Sequence, residues 1–166
     1  MRTLLLMRHA EAAPASAGGG DHDRVLTPGG LIQATAAGRA LARRGIVPDV
    51  ALVSTARRTQ QTFAALAAEL PEAPDMRPGR DLYNADPETI LALLRAEVSD
   101  AETVLVVAHN PGIGSLAMAL AKGRGQPGIR SFSTATIAIF EFTSEDWAPG
   151  TAGLRDVVVT PVGKTP

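Results

Sequence analysis

Two of the three histidines in this chain stand directly behind short apolar runs. His9 follows Thr3–Met7 and Arg8, and His109 follows Thr103–Ala108. A third run, Val50–Val53, ends at Ser54 and leads into Arg57 and Arg58. These residue types suit phosphoryl chemistry. A neutral imidazole can attack phosphorus and hold the phosphoryl group covalently. A guanidinium offers a planar fork of donors that matches a phosphate. Cations around the phosphorus stabilise the charge of the transition state, usually the largest single contribution to catalysis. An arginine in the first turn of a helix is itself unexpected, because the helix dipole disfavours a cation there.

These residues converge only if the three runs are neighbouring strands. The intervening sequence supports that. Thr27 caps a helix with Pro28 at its first position. That helix runs through Leu31, Ala34, Leu41 and Ala42 and stops at Gly45. A second helix starts near Ala56, with Phe63, Leu66, Ala67 and Leu70 on one face. Asp86 and Pro87 open a third, with Ile90, Leu91 and Leu94 as its apolar side. Asn110 and Pro111 form the cap and first turn of a fourth, which runs to about Ala121. Thr134–Phe142 and Leu154–Thr160 read as late strands, available for an antiparallel edge.

This alternation predicts an α/β fold: a three-layer α/β/α arrangement with a mainly parallel central sheet. Ligands in such folds bind beyond the carboxyl ends of the strands, where His9, Arg58 and His109 fall. The length, 166 residues, suits a single domain over 1–160, with a polar tail at 161–166. Ala12–Gly20 and Gly123–Gly128 read as Gly-rich loops.

Composition narrows the classes. The net charge of −1 argues against nucleic acid or an anionic membrane surface as partner. Cysteine is absent, which removes disulfides, thiolate nucleophiles and Cys-based zinc sites. No apolar run is long enough to span a bilayer or to serve as a signal-peptide core, so a cytoplasmic location is expected.

Three segments together resemble the histidine phosphatase (phosphoglycerate mutase-like) superfamily. Arg8-His9-Ala10-Glu11 resembles its Arg-His signature. Ser54-Thr55-Ala56-Arg57-Arg58-Thr59-Gln60-Gln61-Thr62 resembles its Ser-x-x-x-Arg-x-x-Gln-Thr element, which selects Arg58 rather than Arg57. Val106–Gly112 resembles its second-histidine segment. The small size, His109-Asn110-Pro111-Gly112 and Arg24–Gly29 are similar to the SixA-type branch of protein phosphohistidine phosphatases, with Val25 where that branch has proline.

The resemblance implies the phosphoglycerate mutase-like fold without a large lid, and a reaction needing no metal or other cofactor. It makes His9 the nucleophile and places Arg8, Arg58, His109 and Asn110 around the phosphoryl group. Asp81-Leu82-Tyr83 resembles the branch's Glu-Leu-Tyr element, which gives Asp81 the part of the leaving-group acid. The implied substrate is a phosphorylated protein, such as a histidine-containing phosphotransfer domain, or a small phosphorylated metabolite. Glu11 is expected to brace the loop after His9, and Arg57 to be solvated.

Other classes fit less well. Gly112-Ile113-Gly114-Ser115-Leu116-Ala117 has the form of a dinucleotide-binding turn, which would make the chain an oxidoreductase. That reading lacks the acidic residue expected about 20 positions on. Asp21-His22-Asp23 could suggest metal ligands, but lies in a Gly-rich loop and reads better as solvated charge. No G-x-S-x-G elbow supports a serine hydrolase.

Overall fold

The computed structural model describes residues 1–122 and 128–162. Among these residues, six strands form one sheet: β1 (Arg2–Arg8), β2 (Val50–Ser54), β3 (Asp75–Gly79), β4 (Thr103–Ala108), β5 (Ile137–Phe142) and β6 (Ala152–Val158). Their order is β3-β2-β4-β1-β5-β6. Pairings β3–β2, β2–β4 and β4–β1 are parallel, whereas β5 and β6 add an antiparallel edge. The fold is therefore α/β with a mixed sheet.

Helices α1 (Pro28–Arg43), α2 (Arg57–Ala67), α3 (Pro87–Glu97) and α4 (Gly112–Ala121) cover both faces. The pleat sorts the core into two halves. Leu4, Leu6, Leu52, Val104, Val106 and Phe140 pack with Ile90 and Leu94 of α3 and Leu116 and Leu120 of α4. Leu5, Met7, Ala51, Val53, Leu105 and Val107 pack with Ala34, Ala37 and Leu41 of α1 and Phe63 and Leu66 of α2. Strands buried on both faces lose the polar alternation of a half-exposed sheet, hence their unbroken apolar sequences.

Three expectations shift. Leu31 is exposed, and the inner face of α1 is instead made of small residues, Ala34, Ala37, Gly38 and Ala40, with Gln33. Small size is what the packing needs: a Cβ at Gly38 would overlap the Leu66 carbonyl of α2. The late strands begin at Ile137 and Ala152 rather than Thr134 and Leu154. Strand β3 was not foreseen. Asp75-Met76-Arg77-Pro78-Gly79 lacks apolar alternation, and its proline is tolerated because β3 is an edge.

The expected loop at 123–128 lies outside the described residues except for Gly128, as do 163–166 of the expected tail. Thr160 is buried and its carbonyl accepts from Gln33 Nε2, so the packed chain extends to that residue.

Candidate active site

Register brings the three strand ends level. Arg8 pairs with Ala108, and Val53 with Val107, so His9, Ser54 and His109 leave the sheet side by side. The His9 amide donates to the Ala108 carbonyl at 3.1 Å, and the two imidazole centroids stand 5.3 Å apart. His9, His109 and Arg58 are 8%, 4% and 4% exposed. Burial of this much polar surface requires partners, and those partners fix each group's chemistry.

His9 Nδ1 lies 2.7 Å from the Ala10 carbonyl oxygen. A carbonyl can only accept, so Nδ1 carries the proton and Nε2 holds the free lone pair. Burial, then the charges of Arg58, Arg8 and Arg24, push the His9 pKa down to about 4, against an opposing contribution from the Ala10 hydrogen bond. The ring is thus neutral and nucleophilic at pH 7.

The loop behind His9 is pinned from both sides. The Ala10 amide donates to Thr62 Oγ1 of α2 at 3.0 Å, and the Glu11 amide to Gln33 Oε1 of α1 at 3.0 Å. Glu11 Oε1 accepts from the Thr27 hydroxyl at 2.8 Å, bracing the loop against the cap of α1. A Cβ at Gly30 would overlap the Glu11 carbonyl, so only glycine permits this approach.

Arg58 enters from the first turn of α2. Its Nη2 donates to His109 Nδ1 at 3.2 Å, which leaves the His109 proton on Nε2, donated to Ser54 Oγ at 2.8 Å. Burial, then the charges of Arg58 and His9, push the His109 pKa down to about 3. Arg8 reaches the same region from β1, with Nη1 donating to the Phe132 carbonyl at 3.2 Å. Among the described residues, the Nε atoms of Arg8 and Arg58 are both buried without a partner. Two unpaired guanidinium donors beside two neutral imidazoles form a receptacle for an anion.

A short 3-10 turn, Asp21–Asp23, closes one side. The Asp21 carbonyl accepts from Arg58 Nη1 at 2.7 Å, and its Oδ2 accepts from Arg58 Nη2 at 3.2 Å. The same oxygen accepts the Tyr83 hydroxyl at 2.5 Å, while Oδ1 accepts from Arg24 at 3.1 Å. Hydrogen bonds from Tyr83 and Arg24, in that order, hold the Asp21 carboxyl well below the usual carboxylate range. The Tyr83 ring meets His109 edge-on at 5.5 Å and His22 at 5.0 Å, and His22 Nε2 bonds Thr55 Oγ1 at 3.0 Å. The expectation that Asp21 and His22 are merely solvated is therefore corrected: both sit on the rim of the site.

A family model of the histidine phosphatase superfamily (branch 1) matches residues 4–82. An uncharacterized protein of Mycobacterium tuberculosis is 34% identical over 157 residues, covering 89% of this chain and 96% of its own. A structure assigned to phosphohistidine phosphatase SixA of Nakamurella multipartitia superposes with a TM-score of 0.82 at 38% identity, covering 96% of each chain. The protein histidine phosphatase SixA complexed with tungstate superposes at 0.79 with 25% identity, covering 95% of this chain and 96% of that one. The chain belongs to the histidine phosphatase superfamily. Its fold is the phosphoglycerate mutase-like fold of the SixA structures.

Within this superfamily member, Arg8, His9, Arg58 and His109 come together at one point. Two other expected residues stand differently. Asp81 is exposed on the 3-10 turn Arg80–Leu82, and among the described residues it makes no hydrogen bond to the four. On that turn Leu82 faces the core, and the neighbouring Tyr83 reaches the site. Asn110 turns its amide to backbone: Nδ2 donates to the Phe132 carbonyl at 2.8 Å, and Oδ1 accepts from the Gly114 amide at 3.2 Å. It holds α4 and the Phe132 carbonyl used by Arg8. Arg57 is exposed.

Gly112 and Gly114 serve close packing. A Cβ at Gly112 would overlap the Ala85 carbonyl, and one at Gly114 would lie 2.6 Å from Asn110 Oδ1. These close approaches account for both glycines by packing, without a dinucleotide to explain them. Among the described residues, no three His, Cys, Asp or Glu side chains gather as a metal-binding group. None of the described helices is long and apolar enough to cross a membrane.

Sequence reasoning missed Asp21 and Tyr83 as neighbours of the site. The available signal was that the chain's only tyrosine directly follows the turn expected to supply an acid.

Proposed function

We propose that this histidine phosphatase removes phosphoryl groups from protein histidine residues through a phosphohistidine on its own His9. The observation that carries the proposal is the His9 tautomer. With Nδ1–H held by Ala10, the Nε2 lone pair is free beside two guanidinium groups. The two SixA structures, which match over nearly the whole chain, support the choice of phosphohistidine over a small phosphoester.

In the first step the Nε2 lone pair attacks phosphorus. The N–P bond to the substrate imidazole breaks, and its electron pair returns to the substrate nitrogen. Arg8 and Arg58, whose charges both act on His9, neutralise the phosphoryl oxygens, and His109 stands beside them through its bond to Arg58. In the second step water attacks the phosphorus of phospho-His9. The bond to Nε2 breaks with its electron pair returning to His9, and inorganic phosphate leaves with the oxygen of that water. Arginine and the buried imidazoles supply the electrostatics, so no metal enters this cycle.

The test runs a phosphohistidine-bearing phosphotransfer domain, an aryl phosphate and a small glycerate phosphate in parallel with excess EDTA. We expect turnover of the first two to survive EDTA, with the highest kcat/KM for the protein, and His9→Ala to lower turnover at least ~10³-fold. Preference for glycerate phosphate would overturn the protein substrate. Activity abolished by EDTA, or retained in His9→Ala, would overturn the mechanism.

A further inference from the structure

The Asp21 carboxylate has a peculiar position for a site that receives an anion. It is fully charged at neutral pH, half-exposed, and attached to the buried arginine expected to hold the phosphate. Its side chain and its backbone carbonyl are both fixed on Arg58, so it cannot swing away without releasing that residue. Tyr83, which donates to Asp21, also touches the His109 ring edge-on. The rim thus places one carboxylate, shared with Arg24 at 3.1 Å, against the cationic floor of the site.

Such a rim distinguishes leaving groups by charge. When an ester of phosphate is cleaved, the electron pair of the breaking bond leaves negative charge on the departing oxygen, which a nearby carboxylate opposes. A phosphoimidazole protonated on its second ring nitrogen behaves in the opposite sense. Its ring starts as a cation, the N–P electron pair falls back on the departing nitrogen, and the ring leaves as a neutral imidazole while the phosphoryl group passes to His9. The proton stays on the second nitrogen throughout, and no acid needs to deliver one. A carboxylate that accepts a hydrogen bond from that N–H favours the protonated, better-leaving form.

We infer that Asp21 sets substrate class in this site, its carboxylate accepting the N–H of a protonated leaving imidazole and disfavouring anionic leaving groups. The inference rests on the phosphohistidine reading above and adds a residue to it. Asp81, exposed and unattached to the site, is not required in this scheme.

The test uses the full chain and Asp21→Asn. Asparagine keeps the backbone carbonyl held by Arg58 and the acceptor oxygen, but removes the charge. Steady-state kcat/KM is measured on N-phosphorylimidazole and on an aryl phosphate, corrected for spontaneous hydrolysis. Inhibition by inorganic phosphate is measured alongside. We expect the ratio of the two kcat/KM values to fall at least about tenfold in Asp21→Asn. Phosphate inhibition is expected to tighten, because Arg58 no longer shares its charge with a competing anion. If both rates fall by the same factor and phosphate binds more weakly, Asp21 only props Arg58 and the inference is overturned. An unchanged ratio overturns it as well. A wild-type enzyme that cleaves the aryl phosphate but neither N-phosphorylimidazole nor the phosphohistidine domain overturns the underlying substrate reading instead. Should Asp21→Asn fail to fold, Asp21→Ser with the same paired substrates replaces it and reads the same ratio.

Discussion

Arg58 Nη2 donates to His109 Nδ1 across 3.2 Å, so the buried guanidinium and the second histidine act as one unit in which the imidazole must be neutral. A proton on Nδ1 would set two donors against each other. Arg58, the proposed phosphoryl ligand, is therefore also the reason, after burial, that His109 resists protonation.

A pH dependence follows that affects stability and leaves activity unchanged. His9 and His109 titrate at about 4 and about 3 in the folded chain, against about 6.5 unfolded. Above pH 6.5 both states are neutral and the shifts have no effect. Between 6.5 and 4 the unfolded chain takes up protons that the folded chain refuses, so stability falls as pH falls. The expected loss is a few kcal/mol in total across that window. Melting curves at pH 7.5 and 5 check this, and an unchanged Tm contradicts it. Over the same window kcat/KM, corrected for substrate ionisation and measured below Tm, is expected to hold. An unshifted His9 would lose about thirty-fold by pH 5.

Arg58→Lys separates charge from shape. A lysine keeps the cation but loses the planar fork that reaches Asp21 and His109 together and, in the proposed mechanism, the phosphoryl group. The expected result is a drop of roughly 10²-fold in kcat/KM for an aryl phosphate with a folded protein. Weaker inhibition by tungstate should accompany it. Near-wild-type kinetics would show that a point charge suffices.

Gly30 supports the loop behind His9, the proposed nucleophile. Gly30→Ala forces a methyl group into the Glu11 carbonyl two residues beyond His9. We expect a destabilisation of about 3 kcal/mol together with reduced kcat. Gly150→Ala, where an added Cβ meets nothing within 4 Å, is the control expected to change neither. Equal melting temperatures for the two variants would refute the packing argument.

Much of the site was legible because strand burial and strand-end chemistry coincide. Leu4, Leu5, Leu6 and Met7 are apolar since both sheet faces are covered, and the first polar residues beyond them are Arg8 and His9. The same contrast marks Ser54 and His109. Asp21 was not legible, because nothing local distinguishes a loop carboxylate in water from one bound to Arg58, thirty-seven residues away. β3 was obscure for the complementary reason: an exposed edge strand needs no apolar pattern, and Pro78 reads as a break. Leu31 misled because its bulk drew the apolar stripe through it, whereas the buried face of α1 runs through Gly30, Gln33, Ala34, Ala37 and Leu41.

The pairing of β1 with β4 joins residues a hundred positions apart, Thr3 to Thr103 through Arg8 to Ala108. Loop closure on that scale is entropically demanding and slows chain collapse to the native topology. His9 and His109 become neighbours only when this zipper is complete. A refolding chain should therefore recover turnover in step with its last long-range ordering, and a fragment ending before β4 should be catalytically silent however much helix it retains.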